Sequence, residues 1–169
     1  MAISLLLALL AACVLIGINE TGYNQSTRSL DDIAEASQTR SALNRVLQHV
    51  LDAETGSRGY LLTGDPRYLE PYNAAVAEIS QNLDALRLTY APNAEEFNIL
   101  AQLTRNVQRK LAEMDMSVRM RKQGNEDAWK FVLMTDVGKE HMDAIREQAA
   151  KMLENEGSGL AVLLREGWF

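Results

Sequence analysis

The chain is poor in the residues that staple, break or metallate a fold: its 169 residues include one cysteine, three prolines, ten glycines and two histidines. The lone cysteine, Cys13, excludes an intramolecular disulfide and a cysteine-based metal cluster. A cysteine-free remainder is compatible with an oxidising compartment. With so few helix breakers, and with no run alternating apolar and polar residues long enough for a strand, nothing argues for a sheet. Positive charge is also short. Lys and Arg number 17 against 23 Asp and Glu, a net charge of -6, which argues against a nucleic-acid binder and its basic surface. Ala, Leu, Glu, Gln, Arg and Met are abundant. With 47% apolar and 24% charged residues, the composition predicts a folded, all-α chain long enough for one domain with a real core.

From Ala2 to Ile18 no residue is charged and only Ser4 is distinctly polar, which makes about 25 Å of apolar helix at 1.5 Å per residue. This is the short limit of a membrane span. No basic residue stands between Met1 and the apolar run, as a signal peptide would want, so residues 2–18 are read as an uncleaved transmembrane anchor. Two alternatives stay open. Leu10-Ala11-Ala12-Cys13 resembles a lipoprotein cleavage box, although Val14 to Ile18 continue apolar beyond it, and a cleaved secretory signal is the other. The first basic residue is Arg28, so flanking charge says little about orientation beyond mildly favouring a domain outside the cytoplasm.

Four amphipathic helices follow. Leu30, Ile33, Leu43, Val46, Leu47, Val50 and Leu51 recur at three- and four-residue steps, and the face continues through Glu54, Arg58, Leu61 and Leu62. Only Gly22 is a weak helix former between Ile18 and Ser26, so this first helix is expected to continue from the membrane segment. Gly64-Asp65-Pro66 stops it: glycine suits the left-handed position past a helix, aspartate caps, and proline fits a first turn. A second helix carries Leu69 to Tyr90 and ends at Ala91-Pro92-Asn93; a third carries Phe97 to Val118 and ends near Gln123-Gly124-Asn125. A fourth is expected to run unbroken from Ala128 through Leu163. Short loops make antiparallel neighbours, so the expected fold is an up-down-up-down four-helix bundle with long first and fourth helices. The boundaries are 2–18 for the anchor, 19–166 for the bundle, and 167–169 for the start of a second membrane segment.

The stretch from Ala53 to Tyr72 concentrates the unusual residues. Glu54 and Arg58 lie one turn apart on the apolar face, glutamate first, the favourable order for an intrahelical pair. A register-fixing pair is preferred over ligand capture. No strand precedes Gly56 and Gly59, so close helix approach is preferred over a phosphate cradle. Tyr60, Tyr68 and Tyr72 read as packing at a corner in preference to an aromatic ligand site. His49 and His141 lack companions at metal-ligand spacing, and the methionines spread over two helices in the manner of core filling. No nucleophile triad, P-loop or HExxH occurs, so the chain is read as a non-enzyme without cofactor or metal. Near the far end, Gly157 and Gly159 flank Ser158 and weaken the fourth helix; a hinge and close packing are both open there.

Asp52-Ala53-Glu54-Thr55-Gly56-Ser57-Arg58-Gly59-Tyr60-Leu61-Leu62-Thr63-Gly64, followed by Tyr68-Leu69-Glu70-Pro71-Tyr72, resembles the signature of the third class of CHASE domains. Gly138-Lys139, Met142-Asp143, Ile145-Arg146, Met152 and Glu156 resemble the same family more loosely, and the likeness covers about Tyr23 to Arg165. The family comprises extracellular sensory modules of bacterial histidine kinases, cyclases and related receptors. The resemblance implies a periplasmic or otherwise extracytoplasmic bundle at the bacterial inner membrane. It further implies a homodimer or contact with other membrane subunits, and a signal passed through the first and fourth helices. Membrane lipid around residues 2–18 is the implied partner, nucleic acid is not, and no ligand is named. The sequence stops at Gly167-Trp168-Phe169, where the family plan begins a second span. A receptor fragment is therefore the first expectation, a stand-alone anchored subunit or scaffold the second, and a binding lipoprotein the third.

Overall fold

Several helix boundaries are set by local bonding patterns. A computed structural model describes the backbone of residues 2–135 and 137–166 and the side chains of 33–135, 137–155 and 157. Among these residues there are five α-helices, one 3-10 turn and no strand. Helix α1 runs Ala2–Thr63. Gly64 follows at φ +71°, a conformation open to glycine at little cost, and its N–H donates to the Tyr60 carbonyl at 2.7 Å. Asp65 then accepts from the Arg67 N–H at 2.9 Å and opens the 3-10 turn Pro66–Tyr68, which leads into α2, Leu69–Tyr90.

Asn93 caps α3, Ala94–Lys122, by accepting from the Glu95 and Glu96 N–H groups. Glu95 and Glu96 in the first turn and Arg119, Arg121 and Lys122 in the last suit the helix dipole at both ends. Asn125 caps α4, Glu126–Met134, through the Ala128 N–H. Helix α5 is Val137–Glu166.

The expected unbroken fourth helix is thus two. Thr135 has extended backbone, and both its N–H and its hydroxyl bond to the Val132 carbonyl, at 3.2 and 2.7 Å. A β-branched residue that offers its own hydroxyl to the backbone competes with helix continuation, and periodicity alone does not report it.

The chain divides into two compact units, one being Gln38–Gly157 and the other formed by the segments on either side of it. Within Gln38–Gly157 the main core takes four buried side chains from each of four helices. Leu43, Val46 and Val50 with Ala42 come from α1, Ile79, Leu83, Leu86 and Tyr90 from α2, Ile99, Leu100, Leu103 and Val107 from α3, and Met142, Ile145, Ala149 and Met152 from α5. Steps of one, three and four residues place each set on one helix face. A second, smaller cluster joins Ala53 of α1, Tyr72 and Ala75 of α2 and Met114 of α3.

Cross-helix polar contacts fix the register. Arg45 Nε donates to Asn82 Oδ1 at 3.0 Å, and Asn106 Nδ2 donates to Gln148 Oε1 at 3.0 Å. The expected anchor at 2–18 and the expected second segment at 167–169 lie outside the residues whose side chains are described. Among residues 33–135, 137–155 and 157 no helix is long and apolar enough to cross a membrane.

Candidate functional site

The glycine- and tyrosine-rich stretch is a fitted corner. A Cβ on Gly56 would stand 2.9 Å from the Tyr68 carbonyl oxygen and 3.1 Å from Tyr72 Cβ, and one on Gly59 would overlap the Tyr68 ring. Two glycines three residues apart on α1 therefore form the groove that receives the start of α2. Tyr60 and Tyr72 are buried and Tyr68 is half exposed. Burial pushes the Tyr72 phenol above its usual range, and the Asp115 carboxylate adds to the shift against a smaller opposing effect of Arg119. Thr55 is exposed and donates to the Leu51 carbonyl at 2.9 Å. A Cβ on Gly64 would lie 3.3 Å from Arg121 Nη2, so the α1 terminus sits beside the end of α3.

On another face of the same turns of α1 lies a charged cavity of about 270 Å³, walled by α1, α3, the end of α4 and the start of α5. At its back is Lys110, only 3% exposed, with Nζ 3.2 Å from Glu54 Oε1 and 3.6 Å from Glu113 Oε2. Glu54 also holds Arg58 at 2.9 Å, but Arg58 is 60% exposed, so the buried cation against Glu54 is Lys110. An ammonium removed from water is costly unless carboxylates surround it, and here two do.

The helices are cut to make room. Ser57 and Ser117 are buried with their hydroxyls bonded back to the Glu54 and Glu113 carbonyls, both at 3.0 Å. Any Cβ on Gly138 would collide with Glu113 Oε1 and stand 2.7 Å from Lys110 Nζ. The break between α4 and α5 brings that glycine against the ion cluster.

The α4 corner is stapled to α3. Trp129 is buried, with the Arg121 guanidinium 5.3 Å and the Lys130 ammonium 5.5 Å from its ring centre. Both cations pair with Glu126, at 3.1 and 2.7 Å, and the Lys130 hydrogen bond is the main cause holding the Glu126 carboxyl below its usual range.

His49 and His141 are half buried on different helices, and no group of three or more His, Cys, Asp or Glu among the described residues is placed to hold a metal. Helix α5 passes through Gly157 and Gly159 without interruption. A Cβ on Gly157 would lie 3.1 Å from Arg40 Nη1, while Gly159 falls outside the residues whose side-chain positions are described.

Sequence reasoning singled out Glu54 and Arg58 but not Lys110, Glu113 or the packing role of Gly138. A signal for Lys110 was present. Leu103, Val107, Lys110 and Met114 follow one another at four-, three- and four-residue steps, so the lysine occupies a position in the apolar stripe of α3. Glu113 and Gly138 carry no comparable mark, because only the tertiary approach of α5 brings them together.

An all-helical bundle with a glycine-fitted corner and a charged cavity defines a class of small helical module. The CHASE3 domain family model matches residues 29–165, and the chain belongs to that family. The region is accordingly a sensory domain of a signal-transduction receptor and not a catalytic one. The chain is also similar to the sensor domain of the Rhodopseudomonas palustris histidine kinase HK9. The two share 25% identity with a TM-score of 0.48, over 77% of this chain and 93% of that one. No curated protein matches it.

Proposed function

We propose that the chain is the extracytoplasmic sensory domain of a membrane-bound bacterial receptor of the histidine kinase or cyclase type, anchored through residues 2–18 and facing the periplasm. The observation that carries this reading is the family match across residues 29–165. The bundle is up-down-up-down, with α4 and α5 together as its fourth arm. Position 45 of α1 meets 82 of α2 while Gly56 lies against Tyr72, and position 106 of α3 meets 148 of α5 while Lys110 and Glu113 lie against Gly138. In both pairs one number rises as the other falls, which supports antiparallel neighbours. A signal then leaves as a displacement of α5 against α1, with Gly157 and Gly159 as the compliant point of α5, and the receptor works as a homodimer.

Sequencing the gene past Phe169 and assaying the full-length product tests the proposal. A membrane span followed by a transmitter domain supports it. So does a change in kinase or cyclase output when Gly157 and Gly159 are both replaced by alanine. A stop codon at that point instead favours a stand-alone anchored subunit.

A further inference from the structure

We propose that the cavity around Lys110 is a binding site for a small zwitterion, an ammonium carboxylate of amino-acid size. The inference deepens the sensory reading and rests on it for its physiological meaning. Glu113 supplies the first argument. Its side chain is 18% exposed, its one ion-pair contact among the described residues is Lys110 at 3.6 Å, and its buried Oε2 has no hydrogen-bond partner. A largely buried carboxylate oxygen without a hydrogen-bond donor is costly, and a ligand ammonium in the cavity that Glu113 lines would supply one.

The second argument is the arrangement of charge. Arg58 stands exposed at the cavity with only one of its nitrogens engaged by Glu54, and Lys139 lines the cavity with no acidic partner among the described residues. A simple anion entering here meets Glu54 and Glu113, and a simple cation meets Lys110, Arg58 and Lys139. A molecule carrying both charges matches both sets. The volume of about 270 Å³ falls just below the roughly 300–1,000 Å³ of drug-sized sites, which suits a molecule of amino-acid size. Leu61, Met114 and Leu133 provide apolar wall for a short hydrocarbon body.

Isothermal titration calorimetry on the whole chain in detergent tests this directly. The probes are L-leucine and 4-aminobutanoate, which differ in the separation of their charges, with 3-methylbutylamine and 4-methylpentanoate as leucine lacking one charge each. Saturable heat is expected from at least one zwitterion, with each single-charge analogue weaker by about tenfold or more. Glu113→Gln and Lys139→Ala are each expected to weaken that binding by about tenfold. Lys139 is exposed, so its variant tests the site even if Glu113→Gln melts early.

The proposal is overturned if neither zwitterion gives saturable heat up to about 10 mM, the weak end of small-ligand binding. Equal binding of a single-charge analogue, or binding indifferent to Lys139→Ala, overturns it as well. Calorimetry needs no transmitter, so failure here leaves the receptor reading standing, and failure of receptor output leaves the site standing.

Discussion

Two levels of the same bundle are built on opposite principles. At one, four helices each contribute four apolar side chains, and Leu43, Val46, Val50, Leu103, Val107 and Ile145 are sealed from solvent. At the other, Ala53, Tyr72, Ala75 and Met114 form only a thin apolar patch, and the space between α1, α3 and the start of α5 holds Lys110, Glu54 and Glu113 around a cavity. The first level resists change because close-packed side chains have one good arrangement. The second gains little from burial, and charge pairs exchanged for apolar residues of similar size often leave stability unchanged or higher. A domain selected for stability alone would extend the first level to the corner. Keeping ions there fits the responsive site proposed above.

The largest expected effect lies in the apolar level. Leu103→Ala leaves a void among fully buried neighbours and should cost about 4 kcal/mol in chemical unfolding. A loss under about 1 kcal/mol would mean that this level is loosely packed.

Next is Glu54→Ala, which leaves Lys110 with Glu113 alone, at 3.6 Å; a loss of about 3 kcal/mol is expected. Glu54→Gln keeps the shape but not the charge and should fall between that variant and the wild type.

Gly59→Ala forces a methyl into the Tyr68 ring. Because Tyr68 is half exposed and can swing aside, the cost should be about 1–2 kcal/mol, and Tyr68→Ala in the same chain should relieve most of it.

The smallest effect is a pH limb. The Tyr72 phenol is held above its ordinary value of 10.0, so the folded chain keeps this proton more tightly than the unfolded one. Its contribution is complete below pH 10 and is lost as pH rises through the folded value. Melting curves between pH 9 and 12 should show a decline that Tyr72→Phe reduces.

How much of this was legible beforehand differs between the levels in the same way. The apolar level follows from three- and four-residue steps, and Val46, Ile79, Leu103 and Ile145 were all on the expected stripes. Gly64-Asp65-Pro66 and Asn93 announced two of the corners because capping and positive φ are local demands. The charged level was half visible. Glu54 stands out on the apolar face of α1, but sequence spacing reports only its intrahelical neighbour Arg58, four residues along the same helix. Lys110 is 56 positions away, by the residue numbers, and meets Glu54 through tertiary packing. Thr135 likewise ends α4 by a side-chain bond that a pattern of apolar residues does not register.

The most direct measurement is the unfolding free energy of a chain in which the whole ion cluster is replaced, Glu54→Leu with Lys110→Met and Glu113→Leu, compared with the wild type by urea titration. If the charged level is kept for response and not for stability, the triple variant should be as stable as the wild type or more stable by up to about 4 kcal/mol. It should also lose the heat of zwitterion binding. A variant less stable by about 3 kcal/mol or more, the range of the single Glu54→Ala change, would contradict this and make the cluster a structural support.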